Sequence, residues 1–292
     1  MASSFTTFKS RFIKSADGTE IYTDAAGTRS PGNPTIVLLA GFSMVKECFN
    51  PIFDDPKWMS NAFLVRYDLR GHGRSGKPLN DEAWESRCLA EDFEAVCKEF
   101  NVTNTFIMAW SLGATHFVDF ASHNTSVSVN GLISVEGALC SDPATILRIG
   151  TPRSFQLFAD FMQGNDVDAF QRSVLDFITA CTSDPMSPNF FRILLEGVIL
   201  VPRPVAIKLT SRTQNTDVMF TKARSGELDL LLITGGKDKL TNAAAIKTVY
   251  EEIGWKKYTY QHLEDGDHIP WLSEQERFRE TVLGWVRERQ QE

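Results

Sequence analysis

Short apolar runs alternate along the chain with stretches in which apolar residues recur at helical spacing. The runs at 35–40, 63–67 and 228–234 are apolar without alternation, which is typical of strands buried on both faces of a sheet. At 82–100 and 243–252 apolar residues recur every three or four positions, as in amphipathic helices. Strands that alternate with helices predict an α/β fold with a mainly parallel sheet and helices on both faces.

The same reading divides the whole chain into elements. Strands are predicted at 11–14, 20–23, 35–40, 63–67, 105–108, 131–136, 228–234 and 258–263, and helices at 82–100, after residue 111, at 243–252 and at 274–289. From about residue 139 the alternation stops, and helical patterns rich in phenylalanine follow. We therefore predict a core formed by residues 1–138 and 227–292, interrupted by an inserted helical cap at 139–226.

One junction between a strand and a helix holds a serine. The apolar run at 105–108 reads as a buried strand, and apolar positions from 114 to 121 recur at helical spacing. Ser111 lies between them, with the small residues Ala109 and Gly113 two positions to either side. Small residues let the strand and the helix approach closely. This context is that of a nucleophile elbow, in which the serine hydroxyl projects from the end of the sheet.

Composition limits the compartment and the partners. The 292 residues are 42% hydrophobic and 23% charged, with a formal net charge of −7, which argues against nucleic-acid binding. The sequence has no basic run, no apolar run of membrane-spanning length and no apolar signal region near Met1, so we expect a cytoplasmic protein without a membrane partner. The cysteines cannot all pair within one chain, and we expect reduced, mostly buried thiols at Cys48, Cys88, Cys97, Cys140 and Cys181.

A glycine-rich turn gives the most specific resemblance. Residues 68–75 read Asp-Leu-Arg-Gly-His-Gly-Arg-Ser and follow a predicted strand. Through this D-x-R-G-x-G-x-S turn, the serine junction and the succession of strands and helices, the chain resembles the α/β-hydrolase fold superfamily. The resemblance is to its lid-bearing branch of esterase- and lactonase-like serine hydrolases. The resemblance implies an eight-stranded sheet and covers nearly the whole chain outside the cap. We expect the turn to be structural, with Asp68 and Arg70 pairing or capping locally and His72 exposed.

The resemblance also implies a catalytic triad. The family supplies a serine, an acid and a histidine in that order, each after a strand. Ser111 is the predicted nucleophile, Asp238 in Gly-Gly-Lys-Asp is the predicted acid, and His268 in Gly-Asp-His is the predicted base. Two other carboxyl groups compete with Asp238. Glu136 ends the strand after the serine junction, and Asp267, which we expect to face solvent or to cap the final turn, precedes the histidine.

An oxyanion hole requires two main-chain N–H donors. The residue after the serine, Leu112, matches one donor of the family, and Phe42 in Ala40-Gly41-Phe42 matches the other. The chain departs from the family in lacking the histidine that precedes this glycine, and in having Ala109 where the elbow usually has its first glycine. Both donors are main-chain groups, so the expected chemistry is unaffected.

A serine at the elbow implies acyl transfer through an acyl-enzyme. We expect a carboxylic-ester or lactone substrate with an apolar moiety, held in a pocket that includes Met44, Trp110, Phe158, Met162 and Trp271. Two alternatives stay open: diverted chemistry on the same triad (acyl transfer, thioester cleavage, perhydrolysis, lyase or cyclase reactions), and a receptor-like protein that binds its ligand and turns over slowly. No metal-binding cluster or dinucleotide-binding glycine motif is present, so we expect no metal and no cofactor.

Overall fold

A computed structural model describes residues 6–30, 32–123, 126–162 and 166–291. In these residues the strands are β1 Thr6–Lys14, β2 Glu20–Gly27, β3 Thr35–Leu39, β4 Phe63–Tyr67, β5 Asn104–Trp110, β6 Ser128–Val135, β7 Asp229–Gly235 and β8 Lys257–Leu263. They form one sheet in the order β1-β2-β4-β3-β5-β6-β7-β8. β2 is antiparallel to both of its neighbours, and the other pairs are parallel. The predicted α/β class and the mainly parallel, eight-stranded sheet are confirmed.

The α-helices of the described residues are α1 Asn50–Phe53, α2 Pro56–Asn61, α3 Ser86–Glu99, α4 His116–His123, α5 Pro143–Ile149, α6 Pro152–Met162, α7 Val167–Ala180, α8 Pro188–Leu200, α9 Arg203–Ser211, α10 Asp217–Ser225, α11 Ala243–Glu252, α12 Pro270–Ser273 and α13 Gln275–Gln290. The helix predicted at 82–100 is divided, because Glu82–Trp84 form a 3₁₀ turn and Glu85 is extended. None of the described helices is long and apolar enough to cross a membrane.

Alternate side chains of the central strands point into two separate cores. Ile36 and Leu38 of β3 belong to one apolar cluster with residues of α2, α6–α9 and α13. Val37 and Leu39 belong to the other, with residues of α3, α4, α10 and α11. Helices therefore cover both faces of the sheet, as predicted. All five cysteines are buried and none forms a disulfide.

Helices α5 to α10 all lie between the parallel neighbours β6 and β7. We refer to them as the helical segment. Its last helix, α10, packs on the same sheet face as α4, and Met219 and Ala223 lie in the cluster that includes Phe117. Helices α6 to α9 contribute instead to the cluster on the other face. The helical segment therefore contributes side chains to both apolar clusters.

The glycine-rich turn differs from the sequence-based expectation in two respects. Asp68 does not pair with Arg70. Its carboxylate accepts the main-chain N–H of Arg74 at 2.8 Å instead. The same carboxylate fills the space that a side chain at Gly73 would need. Arg70 reaches across the fold to Asp92, with contacts of 2.7 and 2.9 Å. His72 is buried, not exposed, since only 1% of its surface is accessible. The local capping by Asp68 is as predicted.

Candidate active site

Ser111 occupies a backbone conformation that few non-glycine residues adopt. Its φ angle is +54°, in the left-handed region, directly after the last residue of β5. Ser111–Thr115 form a 3₁₀ turn that leads into α4. The turn is tight, because a Cβ atom at Gly113 would lie 2.6 Å from the carbonyl oxygen of Ala40. Strand, turn and helix thus form the junction that the sequence predicts, with the serine side chain half-buried.

The loop after β8 places His268 against Ser111. The distance from His268 Nε2 to Ser111 Oγ is 3.2 Å, which suits a hydrogen bond. The carbonyl oxygen of His268 accepts the indole N–H of Trp110 at 2.7 Å, so the histidine loop is tied to the end of β5. Only 3% of the surface of His268 is exposed. His268 and Ser111, 157 residues apart in the chain, are therefore in direct contact.

Asp238, in the loop after β7, contacts the other nitrogen of the imidazole. Its Oδ2 lies 2.7 Å from His268 Nδ1. The main-chain N–H of Leu240 and the hydroxyl of Thr241 also donate to this carboxylate, at 2.7 and 2.5 Å. Burial by itself would raise the pKa of Asp238, but the charge of His268 and these hydrogen bonds outweigh it, so the pKa lies below its usual value. Asp238 is therefore an ionised carboxylate at neutral pH.

The two competing carboxyl groups do not contact the imidazole nitrogens. Glu136 is fully buried and accepts the main-chain N–H of Gly235. Asp267 accepts the main-chain N–H of Ile269 at 3.0 Å and the hydroxyl of Ser273 at 3.0 Å, so it caps the following turn. Of the two alternatives predicted for Asp267, the structure has the cap and not the exposure to solvent, since 3% of its surface is accessible. Of the three acids, Asp238 is the one bonded to His268.

The loop after β3 runs beside the serine. A Cβ atom at Gly41 would lie 3.0 Å from Ser111 Cβ, so the main chain that precedes Phe42 is packed directly on Ser111. Ser43 has a φ angle of +58°, which turns the chain sharply after Phe42. Among the described residues the main-chain N–H of Phe42 has no hydrogen-bond acceptor. Leu112 follows Ser111 in the 3₁₀ turn. Both predicted donor residues thus adjoin the serine.

The predicted pocket residues fall into two groups. Met44, Trp110 and Trp271 are buried, and the rings of the two tryptophans meet edge to face at 5.1 Å. Phe158 is 40% exposed and Met162 is half-buried, both on α6. The first three side chains are therefore part of the buried core, with the Trp110 ring 5.4 Å from that of His268, whereas the residues of α6 lie nearer to the surface.

Phenylalanine rings connect α6 and α7 to the loop after β3. The ring of Phe42 lies 5.8 Å from that of Phe158 and 5.6 Å from that of Phe161, and Phe161 lies 5.4 Å from Phe170. These four residues are called the phenylalanine cluster below. The helical periodicity predicted apolar faces here, but only the tertiary contacts show that one face adjoins Phe42.

Contacts that the sequence analysis missed join the helical segment to the loops of the site. Gly197 of α8 packs on the main chain of Ser43 and Met44. The main-chain N–H of Ser183 donates to Asp267, the neighbour of His268, at 3.1 Å. A glycine within the apolar pattern of α8 was the available signal for the first contact. The second depends on a main-chain group, which leaves no mark on the sequence.

A third missed contact holds the end of the helical segment. Arg212 makes two hydrogen bonds of 2.9 and 2.7 Å with the buried carboxylate of Asp119 on α4. Gln214 donates to the same carboxylate at 2.9 Å and to the carbonyl oxygen of Thr115 at 2.8 Å. The chain that returns from α9 to α10 is thus attached to the helix that follows the serine.

Comparison with known proteins identifies the family. The sequence model described as "alpha/beta hydrolase fold" matches residues 34–181, just over half of the chain. The chain belongs to the α/β-hydrolase fold family, as the motifs imply. A curated relative named "Probable oxidoreductase EphD", from Mycobacterium bovis, is 35% identical over 92 residues, or 32% of this chain. The matched region spans only 15% of that relative's length.

Two solved structures resemble nearly the whole chain. A "putative aryl esterase" from Burkholderia cenocepacia superposes with a TM-score of 0.84 and 22% identity, covering 97% of this chain and 100% of that one. The esterase RhEst1 from Rhodococcus sp. ECU1013 superposes with a TM-score of 0.79 and 22% identity, covering 95% and 98%. At this level of identity the likeness establishes the fold.

Proposed function

We propose that the chain is a serine hydrolase that cleaves a carboxylic ester or a lactone with an apolar moiety. The observation that carries this proposal is the hydrogen-bonded series Ser111 Oγ, His268 and Asp238, with distances of 3.2 and 2.7 Å. Nucleophile, base and orienting acid are the three parts that a serine acyl transfer requires. The esterases among the structural neighbours are consistent with this chemistry.

The proposed reaction has two halves. Ser111 Oγ attacks the carbonyl carbon while His268 Nε2 takes the hydroxyl proton, and Asp238 stabilises the imidazolium that forms. The tetrahedral intermediate collapses, and the alcohol oxygen leaves with the proton from His268. Water then attacks the acyl-enzyme with His268 again as base, which releases the acid and restores the serine.

The negative charge of each tetrahedral intermediate needs fixed donors. We assign this role to the main-chain N–H groups of Leu112 and Phe42, which adjoin the serine from two different loops. Losing one such donor typically costs about 100- to 1000-fold in rate. Because Gly41 packs on Ser111 Cβ, the position of the Phe42 donor depends on how closely this loop approaches the elbow.

The apolar moiety is inferred from the phenylalanine cluster. The Phe42 residue that supplies a donor also contacts Phe158 and Phe161 of α6 through its ring. Phe158 is 40% exposed, so apolar surface remains available there for a substrate. We propose that the helical segment acts as the cap over this site, and that α6 and α7 bind the acyl or alcohol group.

The test is intact mass after exposure to a fluorophosphonate, which phosphonylates activated serines. We expect one adduct on the wild type and none on Ser111→Ala. The control is Ser60→Ala, which removes a serine of α2, outside the helical segment, whose hydroxyl donates to Pro56 O at 2.7 Å. Its labelling should equal that of the wild type. A folded wild type that stays unlabelled would contradict an assembled triad and would favour a ligand-binding protein.

A panel of esters with increasing chain length tests the substrate class. Hydrolysis that improves with acyl or alcohol length supports the apolar site, whereas rates independent of length contradict it. Product analysis separates hydrolysis from diverted chemistry, because only hydrolysis releases the free acid and the free alcohol in equal amounts. Labelling of Ser111 without release of free acid would point to acyl transfer to another acceptor.

A further inference from the structure

Glu136 is a buried acid beside the triad that the proposed reaction does not use. It follows β6, has a φ angle of +48°, and no part of its surface is accessible. Its Oε1 accepts the main-chain N–H of Gly235, and its Oε2 lies 3.2 Å from Thr241 Oγ1. The strained backbone and full burial are costly, which calls for a specific role at this site.

The hydroxyl of Thr241 is shared by two carboxyl groups. Its Oγ1 lies 2.5 Å from Asp238 Oδ2 and 3.2 Å from Glu136 Oε2. A hydroxyl has one proton to donate and can accept through its lone pairs. Asp238 is the stronger acceptor because it is ionised and the contact is shorter. For the contact between Thr241 and Glu136 to be a hydrogen bond as well, its proton has to come from Glu136.

The charges around Glu136 lead to the same conclusion. Among the described residues, no lysine or arginine bonds to either of its carboxyl oxygens. Burial and the neighbouring charge of Asp238 raise the pKa of Glu136 well above its usual value. Of the titratable groups around these two carboxyl groups, His268 is bonded to Asp238, the buried thiol of Cys181 interacts with Asp238, and the hydroxyl of Tyr250 on α11 donates to Gly137 O at 3.3 Å. None of the three is a fixed cation.

We propose that Glu136 is a neutral carboxylic acid that donates a hydrogen bond to Thr241 Oγ1, while the Thr241 hydroxyl donates to Asp238 Oδ2. Glu136 is then a positioning residue for the acid of the triad rather than a substitute for it. This role rests on the proposed function, since it acts through Asp238 and His268. The neutral form leaves a single negative charge beside the imidazole, so His268 can release its proton to the leaving alcohol.

The first test measures the proton directly, without activity. In Glu136→Gln the side-chain amide keeps a donor and an acceptor but cannot ionise. A glutamic acid whose folded pKa is raised contributes stability that is lost as pH rises above its unfolded pKa. We therefore compare the unfolding equilibrium constants of the wild type and Glu136→Gln. Their ratio, wild type to variant, should rise about tenfold per pH unit between about pH 5 and pH 7.

The controls make this outcome decisive. Glu264→Gln, which neutralises a carboxylate that is 83% exposed, should show no such pH-dependent difference from the wild type. Glu136→Leu also removes the ionisable carboxyl group, so it replaces Glu136→Gln in this comparison if the glutamine variant does not fold. Parallel pH dependence of the wild type and the Glu136 variants would mean that Glu136 is ionised in the folded protein, which overturns the proposal.

The second test measures positioning. In Glu136→Gln we expect kcat within about threefold of the wild type and an unchanged midpoint in the acid limb of the rate profile, because no charge is removed. In Glu136→Leu, which lacks a donor, kcat should fall about tenfold with little change in KM. A lowered midpoint in Glu136→Gln would reveal a lost negative charge and would refute the neutral acid. If the wild type hydrolyses no ester, the proposed function fails, and the unfolding titration still decides the state of Glu136.

Discussion

Replacing Gly197 with alanine tests whether the helical segment sets the position of the loop after β3, which carries the proposed oxyanion donor Phe42. A Cβ atom at Gly197 would lie 2.6 Å from the carbonyl oxygen of Ser43 and 3.0 Å from Met44 Cα. Real Cβ atoms essentially never approach a neighbour as closely as the first distance. Both neighbouring atoms belong to the main chain, so no side-chain rotation can relieve the overlap. Either α8 must move away from the loop after β3, or that loop, which carries Phe42, must shift.

Two opposing effects decide the sign of the stability change. In a helix with free space, alanine is more stable than glycine by about 0.5–1 kcal/mol. Overpacking a close contact costs about 1–3 kcal/mol. We expect the overlap to win, with a net loss of about 1–2 kcal/mol in the free energy of unfolding. Because removal of an oxyanion donor costs about 100- to 1000-fold, a partial displacement of the Phe42 N–H should lower kcat about tenfold, with KM little changed.

The assay combines steady-state hydrolysis of a short nitrophenyl ester with urea unfolding. Gly284→Ala in α13 is the matched control, since a Cβ atom there would have no neighbour within 4 Å. That variant should gain stability and keep the full rate. A Gly197→Ala protein with wild-type kcat and increased stability would refute the reasoning. A raised KM with unchanged kcat would also contradict it, because α8 would then have moved instead of the loop.

Asp238→Asn should lower kcat about 10⁴-fold by favouring the wrong imidazole tautomer, whereas Asp267→Asn, which does not contact the imidazole nitrogens, should stay within about tenfold of the wild type. A second prediction concerns His72. Burial lowers the pKa of its imidazole to about 4. As pH falls from about 6.5 to about 4 the unfolded state binds one more proton than the folded state, so His72 adds about a tenfold rise per pH unit to the unfolding equilibrium constant. Urea unfolding at several pH values should show this added slope in the wild type and not in His72→Asn.

Each of these predictions has a contrary result. If Asp267→Asn lost as much activity as Asp238→Asn, the direct contact with the imidazole would not identify the acid. For His72, the comparison is the change with pH rather than the absolute stability, because asparagine also changes the packing. Equal slopes in the wild type and His72→Asn would mean that the buried imidazole binds a proton as readily as an exposed one.

Local patterns located most of the elements and the order of the candidate site residues, although the helix predicted at 82–100 is divided and β1 begins at Thr6 rather than at residue 11. The helix predicted at 243–252 matches α11, whose N-terminus is capped by Asn242 through a hydrogen bond of 3.1 Å from Ala245 N. The apolar runs at 35–40 and 63–67 became β3 and β4 within a residue of the predicted ends. Strand and helix patterns repeat about every two and every 3.6 residues, so both can be recognised from neighbours a few residues away in the sequence.

Side-chain partners depended on groups that are far apart in the sequence. His72 lies in a polar, glycine-rich turn that favours exposure, yet the turn packs under Trp84 and the α9 residue Val205, which both lie close to Gly71. Arg70 has an acid two residues before it but pairs with Asp92, 22 residues away. Periodicity shows which face of an element is apolar, and it carries no information about which distant element covers that face.

The same limit applies to the candidate site. The motif order was enough to nominate Ser111, Asp238 and His268, because each follows a strand whose end must lie at the same edge of a parallel sheet. The sequence offered Glu136 only as a second choice for the acid. Glu136 is buried and contacts Gly235 and Thr241 because β6 and β7 pair side by side in the sheet. Only this tertiary arrangement distinguishes the proposed neutral positioning acid from a catalytic carboxylate.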